Sequence, residues 1–175
     1  MRTLSIPALV VRVLLLLCLP TIGGCTIAYR LNGASIDYTR IKTIKIDDFQ
    51  NLAPTVYPPL AQRFSEDLKH RFETRTRLTQ VGGQGDLNIE GEITGYELTA
   101  EAVQENALAA KTKLTITINV RFTNTVDEEE SFERQFTSFE TFDSSLMFSD
   151  VQDELTARMT EDLINQIFNA TVENW

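Results

Sequence analysis

Apolar and polar residues alternate without a break over Lys113–Asn124. Leu114, Ile116, Ile118, Val120 and Phe122 hold one parity; Thr115, Thr117, Asn119, Arg121 and Thr123 hold the other. A period of two predicts a strand in a sheet with one buried face. Leu87–Ala100 reads the same way, with Leu87, Ile89, Gly91, Ile93 and Gly95 on one side and Asn88, Glu90, Glu92 and Thr94 on the other. After Gly95 the apolar set becomes Tyr96, Leu98 and Ala100, and a one-residue slip at a glycine predicts a β-bulge or strong twist. Gly91 is expected to let a helix approach the sheet closely. Shorter strands are expected at Ile41–Ile46, with Ile44 and Ile46 opposite Lys45, and at Arg77–Val81. Gln50-Asn51-Leu52-Ala53-Pro54 reads as a break. Ser131–Phe142, with Phe132, Phe136, Phe139 and Phe142, reads as the last strand.

Two segments switch to helical spacing. Behind Pro58-Pro59, which suit a first helical turn, Leu60, Phe64, Leu68 and Phe72 recur at intervals of four, while Arg63, Glu66, Asp67 and Lys69 lie off that stripe. Val151, Leu155, Met159, Leu163, Ile167 and Phe168 predict a helix over Asp150–Glu173, with Ser149 as N-cap and Gln152 completing a capping box. The order predicts an α+β two-layer sandwich: an about four-stranded mixed sheet with two helices packed on one face. The first strand–helix–strand unit is expected to be parallel and right-handed, and the remaining strands antiparallel neighbours. The two long strands exceed the usual 5–6 residues. Their hairpin is therefore expected to outrun the helices, with an exposed tip between Leu98 and Ala110.

The start of the chain follows a different logic. Arg2 and Arg12 precede an apolar run from Val13 to Ile22. That run is too short for a membrane span of about 20 residues and has the length of a secretory h-region. It ends in Ile22-Gly23-Gly24-Cys25, which resembles the lipobox of bacterial lipoproteins. There, small residues before the cysteine admit a protease, and the thiol takes a diacylglycerol. Cys18 follows bulky Leu17 and is expected to be discarded with the leader. The expected organisation is a signal peptide at 1–24, a lipid-anchored lead-in at 25–40 and a single α+β domain at 41–175. Two or more acyl chains on Cys25 make a stable anchor, where one is marginal. Thr26, in place of an aspartate after the cysteine, resembles lipoproteins sent to the outer membrane.

Composition narrows the chemistry. The chain has 175 residues, 42% hydrophobic, with 16 Lys+Arg against 25 Asp+Glu and a net charge of −9. An acidic domain of this kind is a poor nucleic-acid ligand. One histidine and two cysteines are too few for a four-coordinate zinc site. Loss of the leader would leave Cys25 without an intrachain disulfide partner. No nucleophile elbow is present, and Gly82-Gly83-Gln84-Gly85-Asp86 lacks the Gly-Lys-Ser/Thr ending of a P-loop. Asp127-Glu128-Glu129-Glu130 lacks the alternate spacing of a calcium loop, and adjacent Asp47 and Asp48 suit a solvated turn. Nothing calls for a metal, a cofactor or catalysis. Against the negative charge, Lys69, His70, Arg71, Arg75 and Arg77 gather at the end of the first helix. They read either as cations complementing the helix C-terminus or as an anion contact, such as a lipid phosphate.

Taken together, the lipobox, Gly33-Ala34-Ser35-Ile36, Ile41-Lys42-Thr43-Ile44 with Phe49-Gln50-Asn51, the run from Gly85 to Tyr96, Phe142-Asp143-Ser144-Ser145 and Leu163–Trp175 resemble the LptE-type lipopolysaccharide-assembly lipoproteins. The resemblance implies a non-enzymatic, lipid-anchored plug of the large outer-membrane β-barrel LptD, supporting that barrel in lipopolysaccharide transport to the cell surface. It also implies lipopolysaccharide itself as a possible ligand. The alternative is a periplasm-facing lipoprotein that binds a soluble ligand or another envelope machine.

Overall fold

The computed structural model describes residues 36–101 and 110–173. Ile22–Cys25, most of the hairpin tip and Trp175 lie outside the described residues. The described chain forms β1 (Thr43–Ile46), β2 (Gln50–Asn51), α1 (Pro58–Arg75), β3 (Thr79–Gln80), β4 (Leu87–Ala100), β5 (Lys111–Asn124), β6 (Phe132–Asp143) and α2 (Phe148–Phe168), followed by a π-turn at Asn169–Glu173. The result is an α+β sandwich-like arrangement of one mixed sheet and two helices.

The sheet has six strands rather than about four, in the order β3-β1-β4-β5-β6, with β2 also pairing β4. The surplus lies in two-residue strands. Gln50–Asn51, read as a break, pairs in parallel with Glu92 and Ile93. β1 is parallel to β3, as expected, but also to β4. Antiparallel pairing is confined to β4–β5 and β5–β6.

The long hairpin follows its pattern. Leu114, Ile116, Ile118, Val120 and Phe122 are buried, and the alternate residues of β5 are not. Register slips between Ile93 and Gly95, so Thr94 is the bulged residue and the inward parity passes from Ile93 to Tyr96. Gly91 serves a different neighbour from the one expected. A Cβ there would meet the Asn119 carbonyl at 2.4 Å and the Phe49 ring at 2.5 Å. The close approach is therefore by the loop after β1, whose Phe49 stacks edge-on to Phe64 of α1 at 4.9 Å.

Leu60, Phe64, Leu68 and Phe72 of α1 are fully buried and join the inward strand residues and the α2 stripe in one core. Burial of each is worth about 1.5–3 kcal/mol over exposure. The helices run parallel. Tyr57 donates to Asp153 near their starts, and near their ends Arg71 donates to Asn165 and the Phe72 and Phe168 rings lie 5.1 Å apart. The α2 start differs from the expected capping box. Its N-cap is Met147, Ser149 donates to the Asp150 carboxylate, and Gln152 donates to the Tyr96 hydroxyl at 2.9 Å. Packing of Phe148 against Tyr96 and Phe142 starts the helix two residues too early for Ser149 to cap it. At the other end the α-helix stops at Phe168, short of Glu173, and Asn169-Ala170-Thr171 falls in the π-turn.

Asp86 ties three strand ends together. Its carboxylate accepts the Lys42 and Thr43 N–H groups at 2.8 and 2.9 Å, and its carbonyl accepts the Thr125 N–H at 2.9 Å. The Lys42 bond, then the Thr43 bond, holds its pKa below the ordinary aspartate value. A carboxylate depressed in the folded state adds stability above its unfolded pKa of about 3.9. That stability is lost as pH falls through the lower folded value. Asp86→Asn should therefore melt below wild type near pH ~7, and the gap should narrow below pH ~4. Thermal melts across that range check this; a gap independent of pH would refute the account.

Candidate interaction surfaces

The residues singled out as a basic cluster diverge. Lys69 reaches back to Asp48 at 2.5 Å, His70 sits 4.0 Å from Glu73, and Arg71 crosses to Asn165 on α2. Arg77 lies 5.7 Å from the Tyr38 ring, and Arg75 occupies the last turn of α1. Only His70 and Arg71 share a groove, of about 290 Å³ between the helices, and Asp67 and Glu161 line it too. Consecutive helical residues leave the axis about 100° apart, so adjacency in sequence does not make one anion site.

A larger cleft, about 530 Å³, brings together Asp47, Asp48, Glu90, Glu92, Arg121 and Glu133. Arg121 bridges Glu90 at 2.9 Å and Glu133 at 3.2 Å, and those bonds, Glu133 first, raise its pKa. Asp47 is paired with Lys45 at 2.7 Å. The sequence signal for this cleft was the outward parity of Glu90 and Glu92 together with Asp47-Asp48. It was missed because four separate segments meet there. The cleft is lined by no serine, threonine, cysteine or lysine, and no group of metal-ligating side chains occurs among the described residues.

Apolar exposure concentrates elsewhere. Leu52 and Val56 precede α1, Leu146 and Met147 precede α2, and Leu98 lies on β4 beyond the bulge; all are exposed. Because the helices run parallel, both of their starts lie at the Tyr96 end of the sheet, where Tyr57 and Phe148 pack on that ring. Among the described residues no helix is long and apolar enough to cross a membrane.

A small α+β sandwich with polar clefts and an apolar end has the surfaces of a binding or assembly module. The lipopolysaccharide-assembly family model, LptE, matches residues 41–171, and the chain belongs to that family. Its members are non-enzymatic, lipid-anchored outer-membrane lipoproteins of Gram-negative bacteria that act with the LptD β-barrel in lipopolysaccharide transport. No curated protein matches the sequence. Among solved structures, a Helicobacter pylori protein described as a homologue of the neuraminyllactose-binding haemagglutinin is 10% identical, covering 79% of this chain and 87% of its own, with a TM-score of 0.50. Lipoprotein B of Nitrosomonas europaea is 19% identical, covering 73% and 79%, with a TM-score of 0.47. At these identities such likeness concerns fold alone.

The floor of the acidic cleft depends on Gly91. Gly91→Ala should overpack Phe49 and the Asn119 carbonyl at a cost of about 1–3 kcal/mol, a loss of several degrees in Tm. Gly83→Ala, which opens onto free space, should leave Tm unchanged or slightly higher. Equal losses in both variants would show that the close approach is unimportant.

Proposed function

We propose that this domain works as a plug held at the outer membrane by acyl chains on Cys25, with the domain boundaries read from the sequence. In this reading both helices cover one face of the sheet, and the opposite, polar face meets water or the polar lumen of the barrel. The Tyr96 end, with Leu98, Leu146 and Met147 exposed, makes the apolar contact with LptD. The observation that carries the reading is the concentration of exposed large hydrophobic side chains at that end of an otherwise polar surface. Contiguous apolar exposure marks interaction sites. The far ends of β4 and β5, which run 14 residues each, prolong that end.

Two outcomes test the proposal. Cys25→Ser should abolish acylation and leave the precursor unprocessed at Gly24–Cys25, read by intact mass. An unmodified thiol at Cys25 in the wild type would overturn the anchor assignment. Leu98→Glu combined with Met147→Glu should reduce recovery of the barrel on co-purification by roughly tenfold or more, as loss of about 1.4 kcal/mol or more requires. The melting temperature should stay close to wild type, because both side chains are already exposed. Full barrel recovery would place the contact elsewhere.

A further inference from the structure

On the side of β4 away from β5, pairing stops halfway along the strand. β1 lies beside Leu87–Ile89 and β2 beside Glu92–Ile93. The Leu52 N–H makes the last bond on that side, to the Ile93 carbonyl at 2.8 Å. Beyond the bulge β4 continues to Ala100 with β5 as its neighbour. The Glu101 N–H donates to the Lys111 carbonyl at 2.9 Å, so odd-numbered residues past the bulge address β5. The backbone N–H and C=O groups of Tyr96, Leu98 and Ala100 therefore face the vacant side, and among the described residues they take no hydrogen bond. Unpaired backbone of this kind is a template for another strand. Gly95–Ala100 spans about 20 Å at the rise of a strand and holds no guarding lysine or proline.

We propose that this half-edge receives an extended segment of the barrel partner, which adds a strand beside Tyr96–Ala100 in line with β2. The vacancy coincides with apolar exposure. Leu98 sits on the edge itself, Leu52 marks where β2 leaves it, and Val56 adjoins Tyr57, whose ring stacks on Tyr96 at 5.8 Å. All three aliphatic side chains are exposed. In strand addition, backbone bonds supply affinity and alternate side-chain positions supply selectivity. One row of the added strand lies against Leu98, Leu52 and Val56, which calls for apolar residues at every second position. The other row lies beside Glu97 and Thr99 on the open face of the sheet, which suits hydroxyl or basic residues. The second free edge, β6, is bordered by Arg134, Glu140, Arg158 and Asp162, so it draws charged rather than apolar sequence. A closed barrel wall has no unpaired strand. The segment therefore comes from outside the wall, as a loop folded into the lumen does. The inference rests on the reading of the Tyr96 end as the barrel contact, and deepens it from apolar contact to backbone pairing.

The test uses the full chain in its membrane. A benzophenone amino acid in place of Ala100 should photo-cross-link to the barrel protein, at a peptide lying between its wall strands. A cross-link to a wall strand would overturn the pairing and leave the barrel contact standing. A cross-link to a second copy, or none while the barrel still co-purifies, would also overturn the pairing. Failure of the wild-type chain to recover the barrel would overturn the underlying reading and the pairing with it. Proline then separates backbone from side chain. Leu98→Pro removes an edge N–H without touching the β5 ladder, as edge strands tolerate, whereas Thr99→Pro removes a ladder donor. Leu98→Pro should melt close to Leu98→Ala yet recover about tenfold less barrel, because a carbonyl of the added strand loses its donor. Thr99→Pro should melt several degrees lower than either. Equal barrel recovery by the two Leu98 variants would show that the backbone takes no part. Equal melting losses for the two prolines would show that the parity is wrong. Either result refutes the proposal.

Discussion

Strict alternation along β5 is the constraint on which the remaining structure depends. Its five inward side chains, Leu114 to Phe122, are buried to within 1%, and between them stand Thr115, Thr117, Asn119 and Arg121. A strand so patterned has one register that keeps charge and hydroxyl out of the core, because a slip of one residue would exchange the faces. β4 and β6 are then held to β5 by long antiparallel ladders, and the helices supply the apolar cover that the inward face demands. Thr94 absorbs the one mismatch, letting Ile93 and Tyr96 both point inward although they are three residues apart.

The parallel strands need a different lock, since they are short and share few ladder bonds. Asp86 provides it. Its side chain takes two N–H groups from the segment entering β1, while its own N–H donates to the Thr43 hydroxyl and its carbonyl accepts the Thr125 N–H. Ser65 does the same on the helix side. It accepts the Phe49 N–H at 2.9 Å and donates to the Ala61 carbonyl, so the loop that delivers Phe49 over Gly91 is fixed to α1. A buried hydroxyl thereby places the aromatic ring that glycine makes room for. No cysteine lies beyond position 25, so the domain has no disulfide to assist these contacts.

What was legible in the sequence followed from period and length. β4, β5 and α1 carry enough repeats for their faces to be read directly, and the slip at Gly95 was visible as a change of parity. Gln50–Asn51 was not legible, since two residues show no period and their pairing is decided by Glu92 and Ile93, some forty positions on. The α2 start was misread for a related reason: Ser149 and Gln152 have the spacing of a cap, but aromatic contacts of Phe148 set where the helix begins. The surfaces were harder still. Lys69, His70 and Arg71 are neighbours in sequence and radiate in space, whereas Asp47, Glu90 and Glu133 are distant in sequence and converge. Linear charge runs therefore indicated a cluster where the helix disperses it and concealed the one that the sheet assembles.

The mixture of surfaces suits an assembly role better than a ligand-binding one. A ligand site of ordinary kind is concave, largely apolar and enclosed. Here the concave cleft is ionic, with Arg121 held between Glu90 and Glu133. The exposed apolar residues Leu52, Val56, Leu98, Leu146 and Met147 line neither cleft. The β6 edge offers backbone groups, which recognise extended chain whatever its side chains and leave specificity to charge placement. Exposed apolar side chains, an ionic cleft and an open edge are the means of docking against other proteins. A domain carrying all three is suited to being held within an assembly, consistent with a family whose work is done at the barrel.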